Sequence, residues 1–366
     1  MKGRMNTSKT VLIFVCTLLI MVSLASSRTE KAEAADSSTA YRDLLLSFDY
    51  GEEDTYVIGH KSPDSDTVGC AMAYANLLNK IGIRAEAVVS GPVNNETQYA
   101  LDAFGITPPP ILDKAEGKQF VLVDHSTYAQ AIDGMQHARI VGIVDHHGIG
   151  DVATSEQILV RSAPAGAAAS LVYLSYQECD VPITRDMARI MLMSILSDTR
   201  NMTRNVTAVD QNAYDTLSRI ADIQDIQALY LGMAAALASY GDMTDWEIFQ
   251  SDYKEYDAGG VTYCIGDVNA YREEQVRELA ERMYQVMAEN YDRMGLDMLF
   301  TMINNKGDDA SEHMMYMVAY GPGAEELLQG VYGNRDGDGF FLFKENLSRK
   351  ADVVPALSAA LQEPAA

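Results

Sequence analysis

GHKSPDSD, residues 59 to 66, places one imidazole and two carboxylates, His60, Asp64 and Asp66, on a tight turn between a strand and a helix. Upstream, Thr55 to Ile58 read as a short buried strand. Downstream, Val68, Ala71, Met72, Ala75 and Leu78 recur at helical spacing. The polar side chains therefore gather at the strand's carboxyl end, where open α/β sheets bind their ligands. A simpler reading also exists: Asp66 caps the helix and Asp64 belongs to a Ser-Pro-Asp turn. Two further strand ends favour the functional reading. Gln119 to Val123 is a β-rich apolar run that stops at Asp124-His125, and Ile140 to Val144 is another that stops at Asp145-His146-His147. Of six histidines, four lie in these three motifs, a clustering with aspartates that argues for a metal or catalytic site. A fourth element, Ile190 to Leu196, is an apolar helix leading into Ser197-Asp198-Thr199, where an aspartate alone would read as a helix end or cap.

Around these motifs the chain is organised as α/β. Strands near residues 55, 84, 119 and 140 alternate with helical stretches at 67–81, 127–136, 167–178, 184–197 and 208–219, which predicts a doubly wound parallel sheet over residues 40–237. The string ASYGDMT, 238–244, is the best hinge linker. Residues 245–362 then read as a smaller mixed α/β domain. Its expected strands lie at 261–265, 297–302, 314–318 and 340–343, and its expected helices at 273–294 and 324–329.

With 366 residues, 48% hydrophobic and 22% charged, the chain is long enough for two such cores. A net charge of −24 argues against nucleic acid as a partner, because so few cations cannot neutralise a row of phosphates. An anionic substrate would need those cations placed with care. Residues 1–34 read as an export signal: Lys2, Arg4 and Lys9 precede an apolar Val11 to Ala25 and a small-x-small site at Ala32-Glu33-Ala34. The apolar stretch is shorter than the about 18 to 20 residues that span a bilayer, and an uncleaved membrane anchor is the alternative. The expectation is a secreted or envelope-facing protein. Cys16, Cys70, Cys179 and Cys264 show no metal spacing and no disulfide framework.

Taken together the motifs resemble the DHH phosphoesterase superfamily and, within it, the family II, manganese-dependent inorganic pyrophosphatases with a DHHA2 C-terminal domain. The likeness rests on Gly59-His60, Pro63-Asp64, Asp66, Asn95-Glu96-Thr97, Asp124-His125, Asp145-His146-His147, Ser197-Asp198-Thr199, Lys254, and Ser348-Arg349-Lys350 followed by Val353-Val354-Pro355. It covers about Tyr56 to Leu361. The resemblance implies that His60, Asp64 and Asp124 bind one metal and that Asp66, Asp124, His146 and Asp198 bind a second, with Asp124 bridging. It further implies that Asp145 and His125 support these ligands, that His147 faces the substrate, and that Lys254, Arg349 and Lys350 clamp its phosphates.

The implied activity is hydrolysis of pyrophosphate to two phosphates by a water bridging two divalent ions, which such a pair would deprotonate near neutral pH. So many carboxylates could not share a pocket without cations. Mixed imidazole and carboxylate ligation suits Mn2+ or Co2+ better than Mg2+, which would enter, if at all, with the substrate. Short polyphosphate is the alternative substrate, as in exopolyphosphatases, and a non-catalytic phosphate- or metal-binding protein is the rival class. A homodimer is compatible with the resemblance. Departures occur at the rim of the pocket. Gly148 follows the DHH where arginine is common, Ser126 stands for asparagine, RNMTRNVT follows Thr199 where Phe-Lys-Ser-Pro-Thr is common, and Ala165-Gly166-Ala167-Ala168-Ala169 has lost its threonine.

One segment lies outside this pattern. NRDGDGFFLFKE, residues 334 to 345, sets Asn334, Asp336, Asp338 and Glu345 at the spacing of a calcium-binding loop, while Phe340 to Phe343 read instead as a strand leaving a hairpin turn.

Overall fold

Parallel pairing carries the ligand motifs to one edge of a sheet. The computed structural model describes residues 40–307, 314–336 and 339–362, so the export signal expected over residues 1–34 lies outside it. After a first helix α1 (40–47) come β1 (Thr55–Ile58), α2 (Ser65–Lys80), β2 (Ala85–Ala87), α3 (Asn95–Phe104), β3 (Gln119–Val123), β4 (Arg139–Asp145) and β5 (Leu159–Ser162). The five strands form one parallel sheet in the order β2-β1-β3-β4-β5. Strand order reverses between β1 and β3, the position at which sheets of this topology open a crevice at their carboxyl ends. Register then does the rest. Ile58 pairs with Leu122 and Val123 with Val144, so the residues just beyond them, His60, Asp124 and Asp145-His146, emerge side by side.

Strand β3 is buried throughout and β4 nearly so, as expected where both faces of a parallel sheet are covered. One face carries α4 (Ala168–Glu178), α5 (Arg185–Asp198), α6 (Ala208–Ala221) and α7 (Ile226–Leu237) together with α2, packed on Val57, Val121, Val123 and Val144. The other face is covered by Ala115, Ala131, Ile132 and Met135 from connecting segments, against Ile58, Phe120, Leu122 and Ile143. The helix expected at 127–136 is not formed. Two single 3₁₀ turns, Tyr128–Gln130 and Met135–His137, take its place, because Ala131 is extended and Gly134 adopts φ +85°, which an α-helix cannot pass through.

Residues 238–244 connect α7 to α8 (Asp245–Ser251). The chain then forms β6 (Tyr253–Ala258), β7 (Val261–Ala270), α9 (Glu273–Met294), β8 (Met298–Asn305), β9 (Met315–Tyr320), α10 (Ala324–Tyr332), β10 (Phe341–Phe343), a π turn at Arg349–Val353 and α11 (Val354–Gln362). The second sheet, β10-β9-β8-β7-β6, is mixed: β7 and β8 are parallel and the other pairs antiparallel. Helix α9 buries Val276, Leu279 and Met283 against one face, and α10 and α11 bury Leu328 and Leu357 against the other.

Candidate metal centre

Helix α2 opens the site. Asp64 is its N-cap and accepts the Thr67 N–H at 2.9 Å, while the Thr67 hydroxyl donates to Asp124 at 3.0 Å. A Cβ on Gly59 would stand 2.3 Å from the Thr67 methyl carbon, so the glycine of the motif leaves room for that link. Asp66 is not the cap. It lies in the first turn, fully buried, and accepts the Ala168 N–H at 2.6 Å, the Ala169 N–H at 3.0 Å and the Cys70 thiol at 3.3 Å. The positive ends of α2 and α4 both face this carboxylate. The alanines at 168 and 169 therefore serve through their backbone, and the lost threonine leaves these two N–H donors in place.

Asp124 sits at the centre, in a left-handed conformation (φ +61°) that costs a non-glycine residue energy and aims its carboxylate into the crevice. One oxygen lies 3.5 Å from His60 Nε2, which is itself 3.2 Å from Asp64. The other lies 3.3 Å from His146 Nε2, which is 4.0 Å from Asp66 and 3.8 Å from Asp198. His146 Nδ1 is 2.9 Å from the Ala165 carbonyl, which can only accept, so in the neutral ring Nε2 is the lone pair turned toward the carboxylates. Among the described residues, Asp124 Oδ1 and His146 Nε2 are buried without a hydrogen-bond partner. Such orphaned lone pairs facing one another are what a divalent ion would satisfy. Three compact groups result: His60, Asp64 and Asp124; Asp66, His146 and Asp198; and Asp124, His146 and His147, which links the first two through Asp124 and His146.

Electrostatics point the same way. Burial and then the neighbouring Asp124 push Asp66 up to about 7, and burial followed by Asp66, Asp64 and Asp124 holds Asp198 well above the ordinary carboxylate range. Asp198 is also the last residue of α5, at the negative end of the helix. Burial opposes charge on the imidazoles, yet Asp64 and Asp124 raise His60 to about 9, and Asp124 with Asp66 and Asp198 raises His146 to about 11. In the absence of cations, this cluster relieves its repulsion by holding protons.

His147 lies beside it. Its backbone N–H and its Nδ1 are each 3.0 Å from Asp145 Oδ1, and Asp145 is fixed in turn by the Ser126 hydroxyl at 2.9 Å. Ser126, which stands where asparagine is common in the family the chain resembles, thus holds Asp145 and accepts the Gly150 N–H at 2.9 Å. His125 is buried with Nδ1 on the Val123 carbonyl at 3.0 Å, and burial lowers its pKa. Lys254, on β6, is close enough for its charge to act on His60 and Asp64. The Arg349 guanidinium donates to the Asp252 carboxylate at 2.6 Å and to its carbonyl at 2.9 Å, while Lys350 beside it is exposed.

Several contributors were not evident in the sequence. Asp210, in the capping box of α6, accepts the Gly166 N–H at 2.8 Å and the Ser170 hydroxyl at 2.6 Å, which shapes the loop that holds His146. Thr207 and Asp210 form the one sequence signal for it. Glu96, named in the resemblance but without a role there, is buried and accepts the Ser197 hydroxyl at 2.8 Å. Lys306 is lowered to about 8 by burial and then by Arg200. In the acidic loop, Asp336 accepts the Phe340 N–H at 2.8 Å and the Asn334 amide donates to the Leu342 carbonyl. Both side chains close a hairpin. Glu345 is exposed, and Asp338 lies outside the described residues.

Sequence patterns of known families match both halves: the DHH family, N-terminal domain, over residues 54–195 and the DHHA2 domain over residues 232–360. A manganese-dependent inorganic pyrophosphatase of Methanothrix thermoacetophila is 32% identical over 317 residues, spanning 85% of this chain and 99% of the relative. A protein of Archaeoglobus fulgidus assigned the same activity is 34% identical with the same coverage. The crystal structure of a Methanococcus jannaschii chain assigned to family II inorganic pyrophosphatases superposes with a TM-score of 0.71 at 28% identity, covering 84% of this chain and 100% of that one. Fold, order of motifs and similarity along nearly the whole length of these relatives agree, and the chain belongs to the family II, manganese-dependent inorganic pyrophosphatases of the DHH superfamily.

Proposed function

We propose that this protein hydrolyses inorganic pyrophosphate to two phosphates at the crevice between its two domains, with Mn2+ or Co2+ as the activating ion. The observation that carries the reading is the shared carboxylate: Asp124 sits between the set His60 and Asp64 and the set Asp66, His146 and Asp198. Divalent ions bound there offset phosphate charge and lower the pKa of a coordinated water. The protein's own part is to hold the ligands rigidly. Thr67 fixes Asp124, the N-termini of α2 and α4 fix Asp66, and the Ala165 carbonyl fixes the His146 tautomer. His147, oriented by Asp145 through Nδ1, keeps Nε2 as its remaining proton site, which we assign to the departing phosphate. Lys254, Arg349 and Lys350 supply the cations that hold the substrate's phosphates, Arg349 with its fork already aligned by Asp252.

Phosphate release by purified full-length protein, with Mn2+ against a chelated control, tests this directly. Turnover of pyrophosphate that chelation abolishes and Mn2+ restores is expected. No release with Mn2+, Co2+ or Mg2+ would overturn the reading, and a preference for long polyphosphate would move the protein to the exopolyphosphatases. The N-terminal Lys2, Arg4 and Lys9 followed by the apolar Val11 to Ala25 support export of this activity from the cytoplasm. N-terminal sequencing of the mature protein should then begin near Ala35, and recovery of an intact Met1 to Ala34 segment in membranes would favour an anchor.

A further inference from the structure

The loop after Asp198 departs from the family pattern and brings two arginines with it. Arg200, Asn201 and Met202 are all left-handed, with φ of +47°, +52° and +62°, a run that strains non-glycine residues. Hydrogen bonds hold it there: the Asn201 N–H donates to the Leu196 carbonyl at 2.8 Å, the Met202 N–H to the Thr199 hydroxyl at 3.0 Å and the Arg204 N–H to the Thr199 carbonyl at 2.8 Å. The strained loop reaches the second domain. Arg204 is 3.7 Å from Asp352, three residues beyond Arg349. From the same domain Lys306 approaches, its carbonyl 3.5 Å from the Tyr230 hydroxyl.

Three cations thus act on one another through charge, two of them on the loop that follows Asp198, in a chain with only 28 lysines and arginines against 52 acids. Arg204 is paired with Asp352. Arg200 and Lys306, both half-buried, have no side-chain hydrogen bond or ion pair among the described residues. The charges acting on Lys306 are Arg200 and Arg204, which repel it, and Asp267 and Glu96, which attract it without touching it. Asp267 already accepts the Asn304 amide at 2.8 Å, and Glu96 accepts Ser197. Partly desolvated like charges held together by strained backbone need a compensating anion.

We propose that Arg200 and Lys306 form a phosphoryl subsite beyond the pair of phosphates held by Lys254, Arg349 and Lys350, filled by the next phosphoryl group of a linear polyphosphate or by free orthophosphate. The inference rests on the pyrophosphatase reading and extends its substrate class. Arg200 stands two residues from Asp198 on a loop tied to the Arg349 turn, so a third phosphoryl would continue along the same crevice.

Steady-state hydrolysis of pyrophosphate and tripolyphosphate with Mn2+ should be compared among the wild type, Arg200→Gln and Lys306→Gln, with metal content and melting temperature recorded for each. The ratio of kcat/KM for tripolyphosphate to that for pyrophosphate should fall about 10-fold or more in each variant, as loss of a charge-assisted contact predicts. A constant ratio with weakened orthophosphate inhibition assigns the subsite to free phosphate. If the ratio and the phosphate inhibition both stay constant, or both substrates decline in parallel, the subsite does not exist. Should the wild type turn over neither substrate, the pyrophosphatase reading fails separately. Titration calorimetry of tripolyphosphate into the Mn2+-loaded protein then still reads the subsite, and equal affinity in the wild type and both variants overturns it.

Discussion

Asp124 shows how much one residue can carry: a position between two sets of candidate ligands, a strained backbone and an orphaned oxygen. Asparagine tolerates the left-handed conformation and keeps an oxygen for Thr67, so Asp124→Asn isolates the charge. We expect turnover to fall by about three orders of magnitude or more and bound Mn2+ to decrease, read by phosphate release and elemental analysis. The metal-free variant should melt no lower than the metal-free wild type, because a repelling carboxylate has gone. Lys306 makes the opposite trade. Its pKa of about 8 lies below the ordinary lysine value, so the unfolded chain binds the proton more tightly and the folded state bears a cost below about pH 8 that is relieved as pH rises. Lys306→Met should therefore raise stability to denaturant near pH 7, with the gain shrinking as pH rises from about 8 toward 10. A gain that grew with pH would contradict this sign. The ligand types were legible residue by residue, because His and Asp at strand ends have few other uses. The action of Arg200, Arg204 and Glu96 on Lys306 was not, since those three residues come from the other domain.

Helix ends are the elements that arm the site. The first N–H of α4 donates to Asp66, and Ala168 is that helix's N1 position, where proline is compatible with helical backbone. Ala167 before it is already extended, with φ −141° and ψ 145°, as a residue preceding proline requires. Ala168→Pro should thus keep the helical circular dichroism while weakening Mn2+ affinity by about 10- to 100-fold, the scale of a lost supporting contact. Unchanged affinity would show that Asp66 does not depend on α4. The acidic hairpin before β10 gives a contrasting case. With Asn334 and Asp336 committed to backbone groups, millimolar Ca2+ should shift the melting temperature equally in the wild type and Asp338→Ala; a larger shift in the wild type would restore the calcium loop. Strong periodicity made α2, α5 and α9 legible, whereas β5 and β6, half-exposed edge strands with polar residues, carry too little apolar signal to stand out. The failed helix at 127–136 has a local cause, the glycine at 134, which periodicity does not weigh.

At the scale of the molecule, the proposed reaction draws on residues of both domains. Arg349→Ala should leave the metal content unchanged yet cut turnover by about two to four orders of magnitude, because the cation acts on the substrate and not on the metal ligands. Metal loss in that variant would mean the arginine supports the first domain. Contacts that set the two domains together include the Tyr230 hydroxyl on the Lys306 carbonyl at 3.5 Å and Arg204 with Asp352, while the Asn95 amide holds the linker through the Ser239 carbonyl at 2.8 Å. The amino-acid sequence by itself determined the class of fold, the candidate ligand residues and the family, because apolar periodicity and metal-ligand chemistry are written locally. Only the tertiary structure decided how closely His60 and His146 approach Asp124, that Asp66 is held by a helix 102 residues away, and that the charges of Arg200 and Arg204 act on Lys306. Those facts depend on parallel register and on domain placement, which bring together residues that no local spacing relates.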